Sequence, residues 1–302
     1  MAATKKHKFL GLFSVVRGYN VILLTIAQYL SAVFVFDVEA TLKETLLDWH
    51  LHLVVLATIC VVSAGYIIND FYDANIDAIN KPVKTKIGNW ISQKTKLHTY
   101  FTLNFIAFVL GIFVSWKAAV FFSSYIFLIW LYSHKLQKDP VVRVLAVTIL
   151  DLLPFFVIFV YYENISGLII THGVYLYLLV VLKELIKDFE RAKGAVLMNR
   201  KTLVLRYGER KIKNSICVFL SLLSIPTYYL LSLPEVGLMR YYFFTSFVWI
   251  PVFVFFLFRA KQNRDYFLLH NLIRIVLVIG VFSLCFIDTS VLLIRILKEV
   301  RI

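Results

Sequence analysis

Residues 50–68 read HLHLVVLATICVVSAGYII and run without a break into NDFYDANID, residues 69–77. The first stretch is close to the about 20 apolar residues that an α-helix needs to cross a bilayer. The second places Asn69, Asp70, Asp73 and Asp77 directly behind it. Outward from this point the apolar theme recurs at Tyr19–Phe36, Tyr100–Trp116, Ala118–Ser133, Val141–Tyr161, Leu168–Leu185, Ile212–Leu231, Tyr241–Phe258 and Phe267–Ile287. With His50–Ile68 these runs predict about nine transmembrane helices. The composition agrees: 60% of the 302 residues are hydrophobic and 17% charged, against roughly half and a quarter in soluble domains. The expected fold is all-α, a polytopic membrane protein. No Pro/Gly/Ser-rich linker divides the chain, so residues 1–302 are read as a single domain.

The 32 Lys and Arg outnumber the 18 Asp and Glu. That excess could suggest nucleic acid, but a membrane protein has its own cause for basic loops, which concentrate on the cytoplasmic side. With the N-terminus inside, the inner segments hold Lys5, Lys6, Lys8 and Arg17, then Lys81 to Lys96, then Lys135, Lys138 and Arg143, then Lys193 to Lys213, then Arg259, Lys261 and Arg264. Asp37 to Asp48, on the outer side, carries four carboxylates and one lysine. The expectation is a cytoplasmic N-terminus, in the inner membrane if the source is bacterial, with lipids and not nucleic acid as the surroundings. An odd number of spans leaves the tail with Arg295, Lys298 and Arg301 outside, against the bias. Lys5–Lys8 leads into a full-length span with no short apolar stretch and cleavage site, so the first span is expected to stay.

Two inner segments, about Asn69–His98 and Lys187–Lys211, are expected to be long loops on one side of the membrane, since both follow even-numbered spans. Both gather ionisable residues, and loops beyond about 12 to 15 residues are uncommon without a function. Cys60, Cys217 and Cys285 lie in apolar runs without metal-type spacing and read as small buried hydrophobes. Asn164-Ile165-Ser166 is a glycosylation sequon, meaningful only in a secretory pathway.

On a helix, Asn69, Asp70, Asp73 and Asp77 stand at i, i+1, i+4 and i+8, within about a quarter turn of one face. Such oxygen donors suit Mg²⁺, which keeps several waters and is commonly held by one or two carboxylates plus substrate phosphates. A solvated acidic helix end is the plainer alternative; acids in register directly after an apolar span weigh against it. Lys81, Lys84 and Lys86 follow and can hold phosphate oxygens as point charges. The topological bias accounts for these lysines equally well.

Asn-Asp-x-x-Asp-x-x-x-Asp at Asn69–Asp77, followed by Asn80-Lys81-Pro82, resembles the first aspartate-rich motif of the UbiA superfamily of intramembrane prenyltransferases. Arg17-x-x-Asn20, Tyr132-Ser133-x-x-Leu136 and Lys183-Glu184-Leu185-Ile186-Lys187-Asp188 stand where that family has comparable elements. The resemblance covers nearly the whole chain and is closest to the branch that prenylates geranylgeranylglyceryl phosphate. It implies a helical bundle around a central cavity, in which a polyprenyl group moves from its diphosphate to a lipid or aromatic acceptor. It also implies a second motif, Asp-x-x-Asp-x-x-x-Asp, binding a second Mg²⁺. Here that stretch reads Asp188-Phe189-Glu190-Arg191-Ala192-Lys193-Gly194-Ala195. Asp188 is present, and Arg191 and Ala195 replace the other two acids. Glu190 points about 200° away from Asp188; Glu184, one turn earlier, shares its face.

The resemblance therefore implies one or two Mg²⁺ ions, with Asn69 and Asp73 as ligands, Asp70, Asp77 and Asp188 in support, and Asp73, Asp77 and Asp188 as the catalytic acids. Lys81, Lys84, Lys187 and Arg191 would neutralise the diphosphate, the Arg191 fork being able to grip phosphate in place of a metal. Arg17, Asn20 and Tyr132 would contact substrate. Asp151, inside the fifth span, should face a cavity or a partner, because an isolated charge there is costly; an acceptor contact, a cation stabiliser and a protonated structural residue are all open. His134, Asn271 and Arg274 are further interior candidates. The 27 Phe and 17 Tyr could line a cavity for an isoprenoid cation or simply face lipid. Non-catalytic binding protein, intramembrane terpene cyclase and transporter are the alternative readings. Acids grouped at one membrane face, not around broken midplane helices, speak against the transporter.

Overall fold

The computed structural model describes residues 5–37, 40–197 and 201–287. Among these the chain forms α1 (Lys5–Val15), α2 (Gly18–Ser31), α3 (Leu42–Leu47), α4 (Trp49–Asn80), α5 (Pro82–Gly88), α6 (Gln93–Val114) and α7 (Trp116–His134). There follow α8 (Pro140–Tyr162), α9 (Gly167–Leu197), α10 (Leu203–Tyr207), α11 (Glu209–Ser232), α12 (Arg240–Phe244), α13 (Ser246–Arg259) and α14 (Asn263–Ser283). No strand occurs among the described residues. Nine helical segments there are long and apolar enough to cross a membrane, and each contains most of one run expected from hydropathy. Helices answer a physical demand: inside hydrocarbon every backbone N–H and C=O must be satisfied within the segment itself.

The two expected long loops are mostly helix. α4 continues through the acidic stretch to Asn80, Lys81 interrupts it (φ −140°, ψ 59°), and Pro82 opens α5 at its first position. Proline suits that place, having no N–H to lose and a φ already helical. α9 likewise runs past the end of its apolar stretch to Leu197, and α10 and α11 account for most of the remainder up to Lys211. Hydropathy marks where lipid contact ends, whereas the hydrogen-bond ladder of a helix carries on until a proline, a cap or a glycine stops it. The tail with Arg295, Lys298 and Arg301 lies outside the described residues, as do residues 198–200. Only Cys60 is buried; Cys217 and Cys285 are half-buried free thiols, since the outer side of an apolar run faces lipid.

The chain divides into two compact units. The first comprises Met1–Ile26, Trp49–Ala146 and Lys193–Lys201. In it α4 packs against α6 and α7, and α5 against α1. Val15, Ala64, Ile67, Ile68 and Tyr100 form a core beside the acidic end of α4. Gly111 lets α6 and α7 approach closely: a Cβ there would lie 3.1 Å from the Ala119 Cα, the small-residue packing typical of helices in lipid.

The second unit comprises Ala27–Asp48, Val147–Ala192 and Thr202–Ile302. Long-range polar bonds hold it. Gln28 Nε2 donates to the Pro154 carbonyl (2.9 Å), and Tyr161 donates to Asp48 (2.5 Å). Lys213 Nζ donates to the Ala260 carbonyl (2.9 Å). Asn164 Nδ2 donates to the Phe36 carbonyl (2.9 Å), so the sequon asparagine serves the fold.

Candidate active site

α4 has 32 residues, about 48 Å at 1.5 Å each, against a hydrocarbon core of about 30 Å. Its apolar part ends at Ile68, and the last turns carry the acids. Asp77 is buried and has Lys81 Nζ at 3.3 Å and Lys84 Nζ at 3.6 Å. Asp70 has Lys96 Nζ at 2.8 Å and Lys84 Nζ at 3.8 Å. Lys84 thus bridges the two acids, returned to them by the break at Lys81 and the new start at Pro82. Burial first, and the neighbouring Arg17 charge second, hold the Lys84 ammonium below the ordinary lysine range.

Arg17 lies between α1 and α2 at φ 51°, a left-handed backbone uncommon outside glycine. Its guanidinium covers the Tyr66 ring at 4.7 Å, and its charge reaches Asp77 and Lys84. Arg17, Asp70, Asp77, Lys81 and Lys84 are therefore gathered at one end of α4. Asn20 is half-buried and bonds to the Arg17 carbonyl through its backbone N–H (2.8 Å). Tyr132 is buried on α7. His134 is 3.0 Å from the Tyr72 hydroxyl.

Asn69 and Asp73 form a separate pair. Asn69 Nδ2 donates to Asp73 Oδ2 (3.0 Å), while Asn69 Oδ1 is buried with no hydrogen-bond partner among the described residues. An unpaired buried carbonyl costs about 1–3 kcal/mol, and a hard cation would satisfy it. Among the described residues no three His, Cys, Asp or Glu side chains converge as a metal site. The donor set is thus small, an amide oxygen and one carboxylate with two more acids held by lysines. That fits Mg²⁺, which leaves most of its positions to water and phosphate.

Lys96 is the residue that sequence reasoning missed. It is 2% exposed and holds Asp70. One signal was present: Lys96 lies in the opening turns of α6, just after the Ser92 cap, where the helix dipole disfavours a cation unless an anion answers it.

In the second unit, Asp188 is 1% exposed and accepts the Val204 N–H at its Oδ2 (3.1 Å), anchoring the start of α10. Glu184 is buried between Lys187 (2.6 and 2.9 Å) and Lys183 (3.6 Å), and the Arg191 charge also acts on it. Glu190 turns away, 2.6 Å from Nδ1 of His270. Ala195, in the first unit, is buried. Asp151 has its partner: Lys183 Nζ at 2.6 Å. Arg274 donates to Asn271 (3.4 Å).

Residues 24–272 match the UbiA prenyltransferase family. The chain belongs to that family. It is accordingly an enzyme of the prenyltransferase type, built as an integral, multi-pass membrane protein. Digeranylgeranylglyceryl phosphate synthase of Methanobrevibacter smithii is 30% identical over 207 residues, 65% of this chain and 69% of its own length. The same-named protein of Pyrococcus horikoshii is 26% identical over 70% of this chain and 74% of its own length. Among solved structures, the UbiA homolog of Archaeoglobus fulgidus bound to GPP and Mg²⁺ superposes with a TM-score of 0.66 at 13% identity, covering 93% of this chain and 99% of its own. That likeness speaks to the fold, which a UbiA chain keeps at this level of divergence.

Proposed function

We propose that this chain transfers a polyprenyl group from its diphosphate to a lipid or aromatic acceptor with one Mg²⁺ ion as cofactor. The observation that carries the reading is the buried, unpartnered Asn69 Oδ1 beside Asp73, at the end of α4 where Arg17, Lys81, Lys84 and Lys96 supply positive charge. Asn69 and Asp73 would hold the ion. When bound, Mg²⁺ supplies charge that stabilises the departing diphosphate. Asp70 and Asp77 aim Lys84 and Lys81, which meet the same developing charge from fixed positions, the preorganised stabilisation that lowers such barriers. In the second unit Lys187 and Arg191 are basic side chains of the kind that grip phosphate, and Asp188 fastens the start of α10. Arg191, standing where the family motif has an acid, takes over charge that a second metal would bring. The names of the relatives favour a glyceryl phosphate lipid as acceptor. We read residues 1–302 as one prenyltransferase domain, because the family match runs through segments of both units without a gap.

The experiment is incubation of purified protein with radiolabelled prenyl diphosphates and candidate acceptors, with and without Mg²⁺, followed by lipid extraction. Labelled product that depends on Mg²⁺ supports the proposal. Donor binding with no product would leave a binding protein, and labelled cyclic hydrocarbon a cyclase. Asp73→Ala should remove Mg²⁺-dependent donor binding; unchanged binding would overturn the ligand assignment. The charge pattern further supports a cytoplasmic N-terminus, for which tags in the 69–98 and 187–211 segments should report the same side.

A further inference from the structure

α9 is buried almost all round where it passes Glu184, Leu185, Ile186, Asp188 and Phe189, yet Lys183, Lys187, Glu190 and Arg191 are half-exposed. Their spacing puts them on one face, a narrow accessible stripe on an otherwise covered helix. Lys183 joins that stripe to α8 through Asp151.

Asp151 is the midpoint of α8, and its side chain is 35% exposed. The exposure is not on the apolar exposed side of the helix. Ile149 and Phe156, the exposed apolar residues nearby, lie about 160° and 140° around the helix from it at 100° per residue. Thr148 and Ile158, both 0% exposed, flank it at about 60° and 20°. A carboxylate exposed beside Thr148 and Ile158 thus stands on the side of α8 opposite its exposed apolar residues. Its Oδ2 is taken by Lys183 at 2.6 Å, which leaves Oδ1 as the oxygen not bonded to Lys183.

We propose that Asp151 is the general base for a hydroxyl-bearing acceptor, aimed by Lys183. The inference rests on the prenyl-transfer reading above. Lys183 lies one turn, about 6 Å, along α9 from Lys187, toward the middle of the span. A donor whose diphosphate is held at Lys187 and Arg191 has its first prenyl carbon next to the phosphate, and the attacking oxygen must come within about 3–3.5 Å of that carbon. In the step the acceptor oxygen bonds to this carbon, the bond from carbon to the diphosphate oxygen breaks with its electron pair leaving on diphosphate, and the hydroxyl proton passes to Asp151 Oδ1. Glu184 is unsuited to the task, being 3% exposed and bracketed by Lys187 and Lys183.

The test uses the full chain with radiolabelled geranyl diphosphate, offered geranylgeranylglyceryl phosphate or a phenol, and reads donor binding, donor hydrolysis and transfer separately. Asp151→Asn should bind donor at least as tightly as the parent, since Lys183 keeps Glu184 nearby, and should still hydrolyse it slowly. Transfer should fall by roughly 100-fold or more, the usual contribution of a general base. Asp151→Glu should recover part of it. Unchanged transfer in Asp151→Asn would overturn the inference, and so would parallel loss of donor binding, which marks a structural ion pair. If Asp151→Asn fails to fold, Asp151→Leu with Lys183→Leu removes both charges together and must show the same split between binding and transfer. Donor binding by the parent with no transfer to either acceptor would instead sink the function on which the inference rests.

Discussion

The Lys96 ammonium meets Asp70 Oδ2 at 2.8 Å, with the Lys96 side chain 3% exposed. The two ends of this pair are not equivalent. Asp70 has a second cation, Lys84, at 3.8 Å, and Lys96 has Asp70 as its sole salt-bridge partner among the described residues. Asp70→Asn should therefore cost about 3–5 kcal/mol, the penalty of stranding a buried charge. Lys96→Met should cost clearly less. Denaturant unfolding in detergent measures both, and equal losses would mean that Lys96 finds another anion.

Asn80 makes a comparable bond with the backbone. Gly194 N–H donates to Asn80 Oδ1 at 3.1 Å, and a Cβ on Gly194 would come within 2.6 Å of that oxygen. Gly194→Ala should push the amide aside and cost on the order of 1 kcal/mol, the net worth of one hydrogen bond. Adding Asn80→Ala should then do little more, a coupling that a double-mutant cycle reads directly.

Lys84 confers a pH dependence with a definite sign. Its folded-state pKa lies below the ordinary lysine value through burial and then the Arg17 charge. An anionic donor touching it raises that pKa, so binding takes up a proton wherever the free protein has lost it. Donor affinity should fall as pH rises from the lowered value toward the ordinary one. Lys84→Arg stays charged and should flatten that limb in a binding titration. Stability responds in the opposite direction: across the same window the unfolded chain binds more protons, so the Lys84 contribution to stability rises with pH.

Arg191→Ala should weaken prenyl diphosphate binding by about 1.5–3 kcal/mol, as for a hydrogen bond to a charged group. Arg191→Lys should restore part of this, keeping charge and losing the fork. An arginine present only for topology would give parent-like binding in both variants. Introducing acids at Arg191 and Ala195 together should raise the Mg²⁺ requirement, although Ala195 is buried and a carboxylate there must bring its metal or destabilise the chain.

The nine segments long and apolar enough to cross a membrane among the described residues were legible in the sequence because lipid imposes a one-dimensional rule, an uninterrupted apolar run of fixed length. The first acidic motif was legible for a similar reason, since helical spacing alone places Asn69, Asp73 and Asp77 on one face. Composition and order along the chain were enough for both. The tertiary structure decided which acids are already neutralised. That Lys96 returns to Asp70, that Lys84 bridges Asp70 and Asp77, and that Asp188 holds the Val204 N–H depend on where α5, α6 and α10 turn back within their own units. The same holds for Asp151, whose charge the sequence showed and whose pairing with Lys183 required α8 and α9 side by side. A charge written in a sequence has no partner until the chain has folded, because Coulomb energy depends on distance through space and on burial, neither of which residue order records.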